Sequence, residues 1–114
     1  MEFDDITEFS SQTSAGTVKV RIMTLSNGKI VLITDSKSFR LGLSAMAIPA
    51  GLGRSEPTSI GFFTTEIEST LVRTLAERLA SWTNQTCMLV VAMSSLTRER
   101  MLELMSVLKE HLLT

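Results

Sequence analysis

The chain is poor in the residues on which metal and nucleophilic chemistry depend. Its 114 residues include one cysteine, one histidine, one tryptophan and no tyrosine. A structural zinc site takes about four Cys or His ligands, which this chain does not have. Cys87 has no second cysteine with which to form a disulfide, so it fits a reducing compartment. We therefore expect no metal site, no cofactor and no catalytic residues.

Excess charge and aromatic rings are also scarce. Basic residues number 11 and acidic residues 12, which gives a formal net charge of −1, and aromatic residues make up 5% of the chain. A nucleic-acid-binding domain needs a positive surface and rings on which bases stack. The composition therefore argues against nucleic acid as a partner.

Long hydrophobic segments are absent as well. The longest apolar run, residues 87–93, has seven residues, whereas a membrane-spanning helix needs about 20. Residues 1–6 are acidic where a secretory signal would be basic. From these features we expect a soluble, intracellular protein that does not contact a membrane.

The run at residues 87–93 is the most informative feature that is present. In a strand, successive side chains point to opposite faces, so this run places apolar side chains on both faces of a sheet. The sequence predicts only two helices, at residues 66–82 and 97–112, which together cover about one face. A second protein is the simplest cover for the other face. The sequence therefore predicts a module that dimerises through its sheet.

A β-hairpin is predicted around Asn27-Gly28, because this pair lies between two alternating apolar runs and suits a two-residue turn. The expected register pairs residue 25 with 30, 23 with 32 and 21 with 34. One face then suits the helices of the chain and carries Val20, Ile22, Val31 and Ile33. The opposite face, with its polar margin, is predicted to be the partner interface and carries Lys19, Arg21, Met23, Leu25, Ile30, Leu32 and Thr34.

The remaining elements follow from local patterns. Residues 1–16 are predicted to be a flexible lead-in with a short edge strand at 6–9, and residues 17–114 to form a single domain. Further strands are expected at 39–48, 58–63 and 87–93, and a capping box of Thr65 and Glu68 is expected to begin the first helix. The predicted fold class is α+β, with a mainly antiparallel sheet of about six strands and two helices on one face.

Residues 75–85, followed by an apolar strand, the Ser94-Ser95 break and an amphipathic helix, resemble the closing half of the small proteasome-assembly chaperones. The fourth type of this family is nearest, and the third type is its structural relative. The hairpin at 20–35 and the segment at 43–49 extend the resemblance to about residues 18–112. The resemblance implies a non-enzymatic, cytoplasmic or nuclear subunit that has no cofactor and heterodimerises with a related small chaperone, sheet against sheet. It also implies that the pair binds a proteasome α-subunit and promotes assembly of the α-ring.

Two other interpretations fit the same sequence. The first is a roadblock- or longin-like adaptor, which is a dimerising α+β platform for motors or small GTPases. The second is a small-molecule enzyme with a site in the loop at residues 50–57. That loop contains Gly51 and Gly53 but has neither the Gly-Lys-Ser/Thr ending of a P-loop nor the third glycine of a dinucleotide fingerprint.

Overall fold

The computed structural model describes residues 5–14, 16–51, 53, 55–62 and 66–113, with Glu66 through its backbone alone. Within these ranges the chain forms six strands and two helices. Their bounds are β1 Ile6–Thr13, β2 Gly16–Leu25, β3 Gly28–Thr34, β4 Leu43–Ile48, β5 Thr58–Phe62, α1 Glu66–Thr83, β6 Thr86–Ala92 and α2 Arg98–Leu112.

The strands form one sheet in the order β1-β2-β3-β6-β4-β5. Of the neighbouring pairs in this sheet, β3 and β6 are parallel and the other four pairs are antiparallel. Strand β6 is therefore central, with a hydrogen-bonded neighbour on each side. Its two-sided apolarity suits this position, since Leu89, Val90 and Val91 are all buried although they alternate between faces. The predicted α+β class is confirmed.

Both helices lie on one face of the sheet. Helix α1 packs on β4, β5 and β6, and α2 packs on α1 and touches β1. The predicted helix-facing side of the hairpin is confirmed, because Val20, Ile22, Val31 and Ile33 are at most 4% exposed. In β4, Ala45 and Ala47 lie fully buried on the same side, where their small side chains let α1 approach closely.

The register of the β2–β3 hairpin differs from the sequence prediction by two residues. Leu25 pairs with Gly28 and Met23 with Ile30, where the prediction paired 25 with 30 and 23 with 32. The two turn residues are residues 26 and 27. A shift of two residues preserves the alternation of side chains, so the division of the hairpin into two faces is unchanged.

Gly28 explains why the predicted turn was wrong. It lies within β3 and is not one of the described glycines with positive φ, which are Gly16 and Gly53. A Cβ atom on Gly28 would lie 2.3 Å from the carbonyl oxygen of Thr86. The glycine is therefore required by the close approach of β6 and not by the turn.

Strand β1 is longer than the short edge strand expected at residues 6–9. All eight of its residues have register partners on β2, from Ile6 opposite Met23 to Thr13 opposite Gly16. Edge strands pair through main-chain groups, so the polar side chains of this segment do not prevent pairing. The segment can therefore form a strand although its sequence shows no strong apolar period. The sheet therefore includes residues 6–13 and Gly16 of the segment that was predicted to be a flexible lead-in.

Further predictions concern the ends of strands and helices. Strand β4 begins at Leu43 and not at residue 39, and residues 35–42 form a loop instead. Residue 63 and Thr65 of the predicted capping box lie outside the described residues. Helix α2 does have an N-cap, because the Thr97 hydroxyl accepts a hydrogen bond of 3.2 Å from the Arg100 amide.

Candidate functional site

The sheet face opposite the helices carries a continuous apolar row. Residues that are register partners in adjacent strands share a face, so one row can be followed across the whole sheet from β1 to β5. Each strand contributes one side chain to it, and every one of them is apolar. In spatial order the row consists of Ile6, Met23, Ile30, Met88, Met46 and Ile60.

This row is accessible to solvent, particularly toward β5. Ile60 is 65% exposed and Met46 is 40% exposed, and Leu25 on the same face is 43% exposed. In the adjoining row, Leu32 is half-buried and its register partner Val90 is buried. A contiguous apolar surface of this kind is typical of a site that binds another protein.

The loop at residues 35–42 covers one end of this face. The Phe39 ring lies over the strand cations, 4.5 Å from the Arg21 guanidinium carbon and 5.2 Å from Lys19 Nζ, as measured to the ring centroid. Lys19 Nζ also donates a 2.9 Å hydrogen bond to the Lys37 carbonyl. These cation–π contacts and the hydrogen bond fix the loop against the sheet.

Thr34 lies beneath the same loop and is fully buried. Its hydroxyl lies 3.3 Å from the carbonyl oxygens of both Ser38 and Ala92 and accepts a 3.2 Å hydrogen bond from the Ser36 amide. These bonds satisfy the polar group without water. In this structure Thr34 is therefore not presented to a partner.

The charged groups at this end are also engaged within the chain. Arg21 forms a 2.9 Å ion pair with Glu8 on β1. The Asp35 carboxylate accepts hydrogen bonds from the Ser94 amide and hydroxyl, and the amide bond is the main reason that the pKa of Asp35 lies below its ordinary value. Arg40 approaches the same carboxylate at 3.4 Å. The polar end of the face is therefore largely satisfied by the chain itself.

The seven predicted interface residues thus fall into two groups. Lys19, Arg21 and Thr34 lie at the end that the loop covers. Met23 and Ile30 lie in the apolar row, and Leu25 and Leu32 lie in the rows on either side of it. The sequence prediction did not include several further residues that the structure places on the same face. They are Ile6, Ser44, Met46, Ile48, Ile60, Met88 and Val90, with Ser44 the one polar member.

Catalytic and metal chemistry find little support in the described part of the chain. Its residues form no group of three or more His, Cys, Asp and Glu side chains that could hold a metal ion. Cys87 is buried, and burial raises the pKa of its thiol, which opposes formation of the reactive thiolate. The His111 ring stacks on Phe9 with a centroid distance of 4.1 Å.

Two other sequence expectations concern the loop at 50–57 and the membrane. Residues 52 and 54 of that loop lie outside the described residues. Glu56 and Pro57 at the end of the loop line an open cavity of about 310 Å³ together with Thr74, Glu77, Arg78 and Ser81 of α1. Neither helix in the described ranges is long and apolar enough to cross a bilayer.

Comparison with known proteins finds similarity at the level of the fold. No protein-family model matches the chain, and no curated protein does. A solved structure, the crystal structure of a chaperone complex for yeast 20S proteasome assembly, matches with a TM-score of 0.62. The two chains share a fold. The match covers 95% of this chain and 93% of the other at 20% sequence identity.

Proposed function

We propose that this chain is a non-enzymatic subunit of a chaperone pair that assists assembly of the proteasome. The observation that carries the proposal is the apolar row that crosses all six strands on the face opposite the helices. The resemblance of residues 18–112 to small proteasome-assembly chaperones gives this surface a role, and the fold shared with the yeast chaperone structure supports it.

The partner is proposed to be a related small chaperone that presents a similar sheet. Burial of Met23, Leu25, Ile30 and Leu32 would contribute at most about 6–12 kcal/mol, whereas association costs an estimated ~4–15 kcal/mol. Those four residues alone are too few for a stable pair. The row adds Met46, Met88 and Ile60 to the same surface, and face-to-face sheets pack about 10 Å apart.

The pair is proposed to bind a proteasome α-subunit and to promote assembly of the α-ring. It would hold the α-subunit in the orientation that its ring neighbour requires and would leave when later subunits occupy that surface. Sheet-to-sheet pairing leaves the helical layer of this chain free, because α1 and α2 lie on the opposite side of the sheet. An α-subunit and the partner chaperone can therefore bind to different faces.

The test is capture of the tagged chain from its own cells, followed by identification of the bound proteins. The variant Leu32→Glu places a charge on the open face, in the row that adjoins the apolar row, and should abolish recovery of a second small chaperone. The matched control is Ile67→Glu, which makes the same kind of change on α1 at a residue that is 77% exposed. The control should keep the chaperone partner.

Native mass spectrometry of the captured material gives the stoichiometry. A one-to-one complex with a second small chaperone, together with proteasome α-subunits in the eluate, is the expected result. Recovery of small GTPases or dynein subunits in their place would favour the adaptor interpretation. Normal pairing by Leu32→Glu would refute the assignment of the interface to this face.

A further inference from the structure

A groove lies between the two helices, on the side of the molecule opposite the open sheet face. It has a volume of about 310 Å³. Helix α1 and helix α2 both contribute to its walls, and none of its lining residues belongs to the sheet. The lining consists of Arg78, Trp82, Leu102, Met105, Ser106 and Lys109.

The groove follows from helical spacing. On α1, Arg78 and Trp82 are four residues apart and therefore lie on one side of the helix, and the α2 residues keep a similar spacing of three or four. The buried stripe of α2 is a different one, formed by Met101, Leu104 and Leu108. The groove therefore uses a neighbouring stripe, in which Trp82 and Met105 also contact the core.

The floor of the groove is apolar. Leu102 is 47% exposed, and Trp82 and Met105 are half-buried against the core. Tryptophan is enriched at binding surfaces because it combines a large apolar ring with a hydrogen-bond donor, and methionine adapts its shape to a bound group. The floor is thus suited to one or two apolar side chains.

The rim of the groove is positive. Arg78 and Lys109 are exposed, and neither forms an ion pair with any residue that the structure describes. The lining includes no carboxylate. Glu103 accepts two hydrogen bonds from Ser14, and Glu77 accepts one from Ser59. Glu77 and Glu56 line a neighbouring cavity that Arg78 also borders.

We infer that this groove binds a short acidic segment of a partner protein. Apolar side chains of the segment would contact Trp82, Leu102 and Met105, and its carboxylates would pair with Arg78 and Lys109. Two cations over an apolar floor, in a chain of net charge −1, do not form the continuous positive surface that nucleic acid requires. This inference does not depend on the proposed pairing of sheets, because the groove and the open face lie on opposite layers.

Trp82 offers a direct test, because it is the only tryptophan and the chain has no tyrosine. The probe is an acetylated peptide with two central leucines flanked on each side by two glutamates. Titration should change the emission of Trp82 in a saturable way. A peptide with lysine in place of glutamate should bind about tenfold more weakly or not at all.

Variants then locate the site. Lys109→Glu and Arg78→Glu should each weaken peptide binding about tenfold, whereas Lys109→Arg should retain it. The matched control is Arg98→Glu, which reverses an exposed charge on the same helix outside the groove. Circular dichroism should show the same helix content in all four variants, because these side chains are exposed.

Several outcomes would overturn the inference. One is that the acidic peptide leaves the emission of Trp82 unchanged, and another is that the lysine peptide binds with equal affinity. Unchanged affinity of Lys109→Glu for the acidic peptide would be a third such outcome. A response to phosphatidylserine vesicles without a response to the peptide would also reject it in favour of a membrane surface. Leu32→Glu should bind the peptide normally, so failure of this inference and failure of the pairing proposal can be told apart.

Discussion

The guanidinium carbon of Arg21 on β2 lies 4.5 Å from the centroid of the Phe39 ring in the loop at residues 35–42. A strand cation and a loop aromatic thus hold the loop on a sheet face that is otherwise open. The chain thereby covers the polar end of the face itself and leaves the apolar row uncovered. This contact marks the edge of the surface that a partner can reach.

Replacement of this aromatic ring should loosen the loop. Phe39→Ala removes cation–π contacts worth about 0.5–1 kcal/mol each at exposed sites, together with some apolar contact. We expect the free energy of unfolding to fall by about 1–2 kcal/mol. Hydrogen exchange of the amides at residues 35–42 should become faster. Phe39→Leu keeps the apolar contact and should have a smaller effect. Unchanged hydrogen exchange in Phe39→Ala would contradict the role of the cation–π contacts in holding the loop.

Adjacent residues of β6 should respond very differently to truncation. Leu89 is fully buried beneath the helices, whereas Met88 is half-buried on the open face. Leu89→Ala should lower the free energy of unfolding by about 2–5 kcal/mol, because it leaves a cavity in the core. Met88→Ala should cost less than half as much in the isolated chain. If urea denaturation showed equal losses of unfolding free energy in the two variants, the assignment of faces in β6 would be contradicted.

A methyl group at residue 28 should separate two central strands. In Gly28→Ala the new Cβ would lie 2.3 Å from the Thr86 carbonyl oxygen, so the backbone must shift. We expect a loss of about 1–3 kcal/mol in the free energy of unfolding, as for other overpacked sites. Ser26→Ala, in the exposed turn beside it, is the control and should change stability little. An unchanged free energy of unfolding in Gly28→Ala would contradict the close approach of β6 to residue 28.

Glu103 should give the protein an acid-sensitive contribution to stability. The Ser14 hydroxyl and amide donate hydrogen bonds of 2.5 and 2.8 Å to its carboxylate, the hydroxyl bond having the larger effect, and they hold the pKa of Glu103 below its ordinary value of 4.5. A carboxylate whose pKa is lowered by folding stabilises the protein above the unfolded pKa. This stabilisation is lost as the pH falls through the lower folded value.

The corresponding experiment compares Glu103→Gln with the unmodified chain. The stability difference between them should be constant near neutral pH and should shrink as the pH falls below about 4.5. Ser14→Ala, which removes the hydroxyl donor, should reduce the same pH-dependent difference. Urea denaturation at several pH values measures it. A difference that does not change with pH would show that the carboxylate charge is not involved.

The elements and the two faces of the hairpin could be predicted because they depend on neighbours in sequence. Alternation of Val20 and Ile22 with Arg21 and Met23 sorts their side chains to opposite faces whichever residue lies across the turn. This is why the faces remained correct although the hairpin register was wrong by two residues. The helical stripes were predictable for the same reason, since their period lies within one helix.

Only the tertiary structure decided which strands are neighbours. The insertion of β6 between β3 and β4 aligns Met88 with Ile30 on one side and with Met46 on the other. Strand pairing of this kind is decided by contacts between residues far apart in the chain, and the apolar pattern of β6 would suit several neighbours equally well. The sequence alone therefore determined that the chain has more apolar sheet surface than its helices cover. The tertiary structure determined where that surface lies and how far the loop at 35–42 covers it.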